Sequence, residues 1–266
     1  MISQANSALL QQTFGFSTLR PEQEPVVEHV LSGKDSLVLM PTGGGKSLCY
    51  QFPAICMEGI AVVISPLIAL MKDQVDVLKN RFDITAAVAI NGLLSPLERG
   101  EAIKRVESGG ANLLYISPES LRSRTIMRLL KKRLINRFVI DEAHCFSAWG
   151  QDFRVDYLYI ARFLKRLQTE KGLHYPIPVS CFTATAKPKV IEDIQYYFKK
   201  HLNLNLNLYQ TSAKRKNLHY FVIKTSNEED RFLKLVELLQ AEEGPKIVYV
   251  SRVKRAEGLA EDLGRR

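Results

Sequence analysis

Short apolar, β-branched segments alternate with helical patterns along most of the chain, and this alternation constrains the fold more than any other feature. Strands that are each followed by a helix predict a parallel sheet with helices on both faces. The predicted strands are Ser36–Met40, Ile60–Ser65, Thr85–Ile90, Asn112–Ser117, Phe138–Ile140 and Val179–Thr183. The predicted helices are Lys46–Cys56, Pro66–Asn80, Pro96–Ser108, Pro118–Lys132, Val155–Glu170 and Lys187–Phe198. Ligands of such sheets bind beyond the carboxyl ends of the strands.

The pattern changes after this block. Leu202–Tyr209 alternates strictly between apolar and polar residues, which predicts a half-buried strand. Two further strand and helix pairs are predicted at Leu218–Ile223, Glu229–Leu239, Lys246–Val250 and Val253–Leu263. We therefore expect a first domain over residues 1–208, a polar and basic hinge over 209–217, and the beginning of a second α/β domain over 218–266.

Charge and cysteine content limit the class of protein. The 37 lysines and arginines exceed the 28 acidic residues by nine, which suits a polyanionic partner such as nucleic acid, although a basic protein without such a partner is equally compatible. No cysteine pair or Cys/His spacing resembles a zinc site, and we expect Cys49, Cys145 and Cys181 to be core residues. The sequence has neither a signal-peptide pattern nor a membrane-length apolar segment, so we expect a soluble cytoplasmic protein.

The segment Leu37–Tyr50 reads LVLMPTGGGKSLCY, a strand, a glycine turn and a helix start. This context predicts a phosphate-binding loop, in which backbone amides of Thr42, Gly43, Gly44 and Gly45 approach phosphate oxygens. Lys46 is expected to reach the β- and γ-phosphates of ATP, and the Ser47 hydroxyl is expected to bind Mg²⁺. The usual first glycine of the G-x-x-x-x-G-K-[ST] pattern is replaced by Met40.

A second motif, D-E-A-H, follows the apolar strand Phe138–Ile140. We expect Asp141 to bind Mg²⁺ together with Ser47, and Glu142 to activate the attacking water. His144, which completes the motif, is counted with Lys46, Asp141 and Glu142 as a catalytic candidate.

A possible base site precedes the phosphate loop. Gln23 has a donor and an acceptor for the adenine edge, Phe16 is suited to stack on the ring, and Arg20 to stack or hydrogen-bond there. The alternative is a simple helix entry at Pro21, which the sequence does not exclude.

Several residues at the predicted strand ends suit nucleic acid. Ser65 and Lys72, at the entry to a helix, are candidates for binding a DNA phosphate, with Ser117 and Ser120 as a second possible grip. Either pair alone is more typical of a helix cap. The hydroxyls of Thr183 and Thr185 lie where they would link the ATP site to the residues that bind the DNA strand.

The segment after D-E-A-H is rich in aromatic residues. Trp149, Phe153 and Arg154 are candidates for binding unpaired bases, since stacking on an aromatic face contributes roughly 1–3 kcal/mol per base. A buried aromatic cluster is the alternative. Because the segment directly follows Asp141 and Glu142, it is also placed to couple the binding of a nucleic-acid strand to ATP hydrolysis.

Taken together in this order, the motifs resemble those of RecQ-family ATP-dependent DNA helicases of superfamily two. The motifs that carry the resemblance are FGFSTLRPEQ, MPTGGGKS, SPLIALMKDQV, YISPESL, DEAHC, SAWGQDFRVDY, TATA and IVYVSR. The resemblance implies a RecA-like P-loop domain with a mostly parallel sheet flanked by helices, plus the start of a second RecA-like lobe. It implies 3′-to-5′ unwinding driven by ATP and Mg²⁺, and a methionine in place of the first glycine is normal in this family.

The resemblance also implies roles that this sequence only partly matches. In the aromatic loop, Ala148, Gln151 and Val155 replace the family's Gln, His and Pro, and Gln151 is the expected coupling residue together with Thr183 and Thr185. The family's second lobe supplies an arginine to the ATP site, and neither that arginine nor the family's zinc-binding and winged-helix modules is present here. We therefore expect this chain alone to bind nucleotide and DNA weakly, to hydrolyse ATP poorly and not to unwind DNA.

Two alternatives remain at this stage. An RNA helicase of the same superfamily shares the ATP machinery, but the aromatic loop after D-E-A-H disfavours it. A nucleic-acid-binding module without motor activity is disfavoured by the intact Lys46, Asp141 and Glu142. The expected partner is DNA, single-stranded or partly duplex, in a repair or recombination role; a monomer is favoured, although the sequence does not determine the oligomeric state.

Overall fold

The structure is a computed structural model that describes residues 3–147, 154–184, 187–211, 219–241 and 243–264. The chain divides into two compact units, Met1–Lys214 and Arg215–Arg266. No helix among the described residues is long and apolar enough to cross a bilayer.

The first unit is built on a seven-stranded sheet in which every described strand pair is parallel. The strands are β1 (Ser36–Leu39), β2 (Ile60–Ile64), β3 (Ala87–Ile90), β4 (Leu113–Ile116), β5 (Ile135–Ile140), β6 (Val179–Thr183) and β7 (Asn207–Gln210), in the spatial order β3-β4-β2-β5-β6-β1-β7. The predicted mostly parallel sheet is therefore confirmed.

Eight α-helices cover this sheet in the described part of the first unit. They are α1 (Gln4–Phe14), α2 (Glu24–Leu31), α3 (Leu48–Cys56), α4 (Ile68–Phe82), α5 (Pro96–Glu107), α6 (Arg124–Lys131), α7 (Ile160–Lys171) and α8 (Pro188–Leu202). Short 3₁₀ helices are formed by Pro118–Arg122, Ala143–Phe146 and Val155–Tyr159. The predicted helices Pro118–Lys132 and Val155–Glu170 are thus each divided into a 3₁₀ turn and an α-helix.

Two apolar cores lie on the two faces of the sheet, because successive strand residues point to opposite sides. In β1, Leu37 and Leu39 join the core covered by α5 to α8, whereas Val38 and the following Met40 join the core covered by α1 to α4. Cys49, Cys145 and Cys181 are buried in these cores, as predicted. Helix α1, which is capped by the Ser3 side chain, was not predicted from the sequence.

The alternating segment Leu202–Tyr209 was predicted to be one strand, and this prediction is wrong. Leu202 ends α8, Leu204 and Leu206 are buried in the connection, and only Asn207–Gln210 pairs with β1. Asn203 adopts a left-handed backbone conformation (φ 56°) that ends the helix. The alternation arises because a partly buried leucine at the helix end and two buried leucines in the loop are spaced by two residues.

The described part of the second unit contains two helices, α9 (Glu228–Ala241) and α10 (Val253–Gly264), joined by an ion pair of 2.7 Å between Arg255 and Glu228. The strands predicted at Leu218–Ile223 and Lys246–Val250 are not formed in its described residues. A strand requires a hydrogen-bonded neighbour, and the apolar side chains of these segments are instead exposed, with Val222 at 93% and Tyr249 at 89%.

Candidate functional site

The carboxyl ends of five strands bring the predicted chemical groups to one edge of the sheet. Leu39 of β1 is level with Thr183 of β6, and Ile64 of β2 is level with both Ile140 of β5 and Ile116 of β4. The phosphate loop, Ser65, Ser117, the D-E-A-H motif and Thr183 therefore emerge side by side. This is the edge at which parallel sheets bind ligands.

The phosphate loop leads from β1 directly into α3. The backbone N–H of Met40 donates to the Thr183 carbonyl at 3.1 Å, and the loop turns through Gly43 and Gly45, which have φ values of 81° and 82°. A side chain at either position would strain the backbone. The loop ends at Ser47, the N-cap of α3, where the positive end of the helix dipole favours an anion.

Met40 supports the phosphate loop from below. Its side chain is fully buried, and a Cβ on Gly44 would lie 2.7 Å from Met40 Cγ and 2.9 Å from the Pro41 carbonyl oxygen. Met40 therefore acts as a core residue on which Gly44 rests. Met40, which replaces the first glycine of the pattern, thus fills the space beneath Gly44.

We expect Gly44→Ala to lower nucleotide affinity about ten-fold, because overpacking of this kind costs roughly 1–3 kcal/mol. Nucleotide titration followed by calorimetry measures the effect. Gly92→Ala is the matched control, since a Cβ there meets no atom within 4 Å. Adding Met40→Ala should recover part of the loss, and unchanged affinity in Gly44→Ala would contradict this role of the contact.

The candidate base site is a cavity of about 320 Å³ beside the phosphate loop. Its walls include Phe16, Arg20, Gln23, Gly45 and Ser47. The Phe16 ring is 38% exposed and packs edge-on against Phe82 with 6.2 Å between ring centroids, so a face of the cavity is aromatic. Such a cavity suits a flat ring with polar edges.

Gln23 is already engaged within the protein. Its Oε1 accepts from the backbone N–H of Arg20 at 3.0 Å, and its Nε2 donates to the carbonyls of Gly44 and Gly45 at 3.4 and 3.2 Å. Arg20 in turn donates from Nη1 to the Gly43 carbonyl at 2.8 Å. Gln23 and Arg20 thus hold the phosphate loop, and pairing of Gln23 with an adenine edge requires exchange of these partners.

The two carboxylates after β5 lie directly opposite the phosphate loop. Lys46 Nζ lies 3.8 Å from Glu142 Oε1, and His144 Nδ1 lies 3.2 Å from Glu142 Oε2. Glu142 has φ 48°, a left-handed conformation that is uncommon for this residue type, and its N–H donates to Asp141 Oδ1 at 3.0 Å. Backbone strain of this kind is typical of active sites.

The surroundings of Asp141 and Glu142 shift the pKa values of their carboxyl groups in opposite directions. Burial and the neighbouring Glu142 charge raise the pKa of Asp141 to about 6. The hydrogen bond from His144, supported by Lys46, lowers the pKa of Glu142. Contacts with Cys145 and then Glu142 raise the pKa of His144. At neutral pH, Glu142 is therefore an ionised acceptor held between two cationic groups.

The donors at this site fit a magnesium ion. Asp141 supplies a carboxylate whose charge is disfavoured by burial and by Glu142, so a cation there would be stabilising. Ser47 supplies a hydroxyl at the start of α3. The described residues contain no cluster of three or more His, Cys, Asp or Glu side chains suited to a metal. Mg²⁺ needs only one or two protein ligands when phosphate and water complete its shell.

Among the nucleic-acid candidates, Ser65 has an unusual hydroxyl. Its Oγ is buried and has no hydrogen-bond partner among the described residues. A buried hydroxyl without a partner costs about 1–3 kcal/mol, which favours a role in ligand contact. The hydroxyls of Ser117 and Ser120, by contrast, bond to each other at 3.0 Å, and Lys72 is exposed on α4.

The aromatic segment lies mostly outside the described residues, including Trp149, Gln151 and Phe153. Arg154, at its end, donates from Nη1 to the Pro66 carbonyl at 3.0 Å, and thereby ties this segment to the residue that follows Ser65. Of the two threonines expected to take part in coupling, Thr185 also lies outside the described residues. Thr183 is buried, and its Oγ1 lies 3.0 Å from His144 Nδ1.

A buried hydrogen-bond network that was not predicted from the sequence joins the phosphate loop to α4. Gln51 of α3 donates from Nε2 to Gln74 Oε1 of α4 at 2.8 Å and to the Tyr115 hydroxyl of β4 at 2.9 Å. The Tyr50 hydroxyl interacts with the side chains of both Ser47 and Tyr115. The one signal in the sequence was Gln51 itself, a single amide within the apolar helix LCYQFPAIC.

Comparison with known proteins places the chain among helicases. The sequence profile described as "DEAD/DEAH box helicase" matches residues 20–194. The probable ATP-dependent DNA helicase RecS of Bacillus subtilis is 38% identical over 96% of this chain and 49% of its own length. The ATP-dependent DNA helicase RecQ of the same organism is 39% identical over 100% of this chain and 43% of its own length. The chain thus spans about half the length of these relatives or less.

A likeness in fold extends to solved structures. The Mycobacterium smegmatis helicase Lhr, bound to ssDNA and AMP-PNP, superposes with a TM-score of 0.70 at 20% identity, over 98% of this chain and 36% of Lhr. At that identity the likeness concerns the fold alone.

Proposed function

Since the chain belongs to the DEAD/DEAH box helicase family, we propose that it forms the nucleotide-binding part of a RecQ-type ATP-dependent DNA helicase that unwinds DNA in the 3′-to-5′ direction. The resemblance to RecQ helicases is confirmed by relatives at 35–41% identity. The observation that carries the proposal is the approach of Lys46 to Glu142, with Asp141 beside them, at the edge where the phosphate loop opens.

The chain's own residues have distinct tasks in this proposal. Lys46 exchanges its contact with Glu142 for phosphate oxygens, which leaves Glu142 to accept a proton from the attacking water. Ser47 and Asp141 would hold Mg²⁺, which neutralises developing phosphate charge when it is bound. His144 orients Glu142 and connects it to Thr183. Backbone groups of Thr42 to Gly45 cradle the phosphates, and Phe16, Arg20 and Gln23 enclose the base.

We propose that residues at the carboxyl ends of the neighbouring β-strands bind DNA. Ser65 and Lys72 would contact the phosphodiester backbone, and Arg154 would position the aromatic residues Trp149 and Phe153 for stacking on bases. Gln151, Thr183 and Thr185 would couple this contact to hydrolysis. The unpartnered Ser65 hydroxyl supports this assignment among the described residues.

The proposal is tested by ATP hydrolysis with single-stranded DNA and with RNA of the same sequence. A RecQ-type enzyme is stimulated more by DNA, whereas an RNA helicase is stimulated more by RNA. A binding module without motor activity would bind the strand and leave hydrolysis at zero under all conditions.

The Gln51 network makes a specific prediction about coupling. Gln51→Leu removes both hydrogen bonds between α3 and its partners on α4 and β4, so we expect the ratio of hydrolysis rates with and without single-stranded DNA to fall towards one. Gln51 also lines the candidate base cavity, so nucleotide affinity is measured separately and the two rates are compared only where ATP saturates the variant. The measurement is steady-state hydrolysis at saturating ATP, with and without DNA.

Two further variants separate coupling from a general loss of stability. Tyr115→Phe removes one of the two acceptors and should lower the ratio partially. Gln12→Leu, an exposed glutamine on α1, is the matched control and should leave the ratio unchanged. If Gln51→Leu retains full stimulation by DNA, the network is structural only.

A further inference from the structure

A second concave site lies between the 3₁₀ helix Pro118–Arg122, α6 and α7, and it shares no residue with the candidate base site. This α6–α7 cleft has a volume of about 350 Å³. It is lined by five cationic side chains, Arg122, Arg124, Arg128, Lys131 and Arg166. Glu170 is its one acidic lining residue in the described part of the chain.

The cationic side chains of the α6–α7 cleft are only partly neutralised. Arg122 pairs with Asp156 at 2.8 Å, and both Lys131 and Arg166 share the single carboxylate of Glu170, at 3.1 and 2.6 Å. Five cations thus face two carboxylates, which leaves an excess of three positive charges. Arg124 and Arg128 are exposed and make no ion pair within the described residues. The like charges repel each other unless an anion is bound.

The side chains in the α6–α7 cleft are also partly ordered in advance. The guanidinium of Arg122 lies over the Tyr159 ring, 4.9 Å from its centroid, and donates from Nε and Nη2 to Asp156 Oδ1. Four of the five cations are arginines, whose planar donors match the geometry of phosphate oxygens. An ordered arginine loses less conformational entropy when it binds.

The position of the α6–α7 cleft indicates its ligand. The 3₁₀ helix Pro118–Arg122 follows β4 immediately, so one end of the cleft begins at the edge of the sheet where Ser65 and Ser117 lie. From there α6 carries Arg124, Arg128 and Lys131 away from this edge. A DNA strand that crosses the sheet edge would therefore contact these cations where it leaves the edge.

We propose that the α6–α7 cleft binds the phosphodiester backbone of DNA beyond the segment that contacts the sheet edge. This inference rests on the proposed function, because it extends the same strand-binding path. We assign the contact to the phosphates rather than to the bases, because the charged lining of the cleft is five cations against one carboxylate and phosphates are the anionic groups of DNA. The site would raise affinity for longer DNA without changing its sequence preference.

The double variant Arg124→Glu/Arg128→Glu tests this proposal in the intact chain. Each lost phosphate contact lowers the slope of log affinity against log salt by about 0.7–0.9, so we expect a decrease of roughly 1.5. Affinity for a long single strand should fall at least ten-fold at low salt, whereas a short oligonucleotide that covers only the sheet edge should bind as before. Fluorescence anisotropy with labelled DNA measures both.

The controls distinguish charge from folding. Lys79→Glu/Lys104→Glu makes the same change in net charge on exposed positions of α4 and α5, outside the cleft, and should retain affinity for long DNA. Position 124 lies in the first turn of α6, where a negative charge is favourable, whereas position 128 lies in the last turn, where it is unfavourable, so the two effects on the helix oppose each other. Arg124→Gln/Arg128→Gln should give about half the effect, and thermal unfolding of each variant reports on the fold.

Three outcomes would overturn the proposal, and they are distinguishable. If the unaltered chain binds long DNA and the double variant binds it equally well, the α6–α7 cleft is not a DNA contact although the proposed function stands. If the unaltered chain binds no DNA, both fail together. In the third outcome, polyglutamate binds the unaltered chain but not the double variant, and it does not displace DNA from the sheet edge. If the double variant also keeps its affinity for DNA, the cleft binds an acidic protein segment instead.

Discussion

Lys46→Ala should weaken the binding of ATP by about 10- to 150-fold and remove measurable hydrolysis. A hydrogen bond to a charged group contributes roughly 1.5–3 kcal/mol, and Lys46 is the phosphate loop's own cation, 3.8 Å from the catalytic candidate Glu142. Its loss also leaves Glu142 with less compensation for its charge. Binding of a fluorescent ATP analogue and release of phosphate are the two measurements.

Lys34→Ala is a suitable control for this prediction, since Lys34 precedes β1 at the opposite end of the strand and its side chain is not part of the loop. It should bind and hydrolyse ATP like the unaltered chain. An undiminished affinity in Lys46→Ala would mean that the glycine turn is not a phosphate site.

Glu142→Gln should separate binding from chemistry. The amide keeps the size of the side chain but cannot accept a proton, and removal of a general base typically lowers the rate by roughly 10²–10⁴. Affinity for ATP should be equal or higher, because a negative charge next to the phosphates is removed. Single-turnover hydrolysis together with nucleotide titration gives both quantities.

Glu107→Gln, an exposed carboxylate at the end of α5, is the matched control and should leave the rate unchanged. If Glu142→Gln hydrolyses ATP at the unaltered rate, the base must be another group. If instead its affinity falls as far as that of Lys46→Ala, Glu142 acts by holding the site together rather than in proton transfer.

The sequence predicted the architecture of the first unit well, because strands β1 to β6 are buried on both faces and read as mostly apolar runs. β6 occurs at the predicted residues Val179–Thr183, and β1, β2 and β4 end within one residue of the prediction. A parallel sheet then places all strand ends on one edge, so the proximity of Lys46 to Glu142 follows from topology.

Side-chain contacts across the chain could not be predicted in this way. Gln23 was considered only as a partner for adenine, whereas its amide is bonded to the phosphate loop. The link between Gln51 and Gln74 depends on how α3 packs on α4, which no local pattern encodes. Local patterns also cannot reveal where a helix becomes a 3₁₀ turn, as at Pro118–Arg122.

Met40 illustrates how the structure changes the meaning of a motif. In the pattern it stands in the place of a glycine and looks like a defect. In the fold it is a fully buried residue of the core covered by α1 to α4. Gly44 can pack closely against the Met40 side chain only because Gly44 lacks a Cβ. The loop therefore keeps its shape through packing from below.

The most direct test of the central claim is steady-state ATP hydrolysis by the unaltered chain in Mg²⁺, without nucleic acid, with single-stranded DNA and with RNA of the same sequence. We expect slow hydrolysis that single-stranded DNA accelerates more than RNA does, and that Lys46→Ala abolishes. Hydrolysis that survives Lys46→Ala, that DNA does not accelerate, or that RNA accelerates equally or more would contradict it.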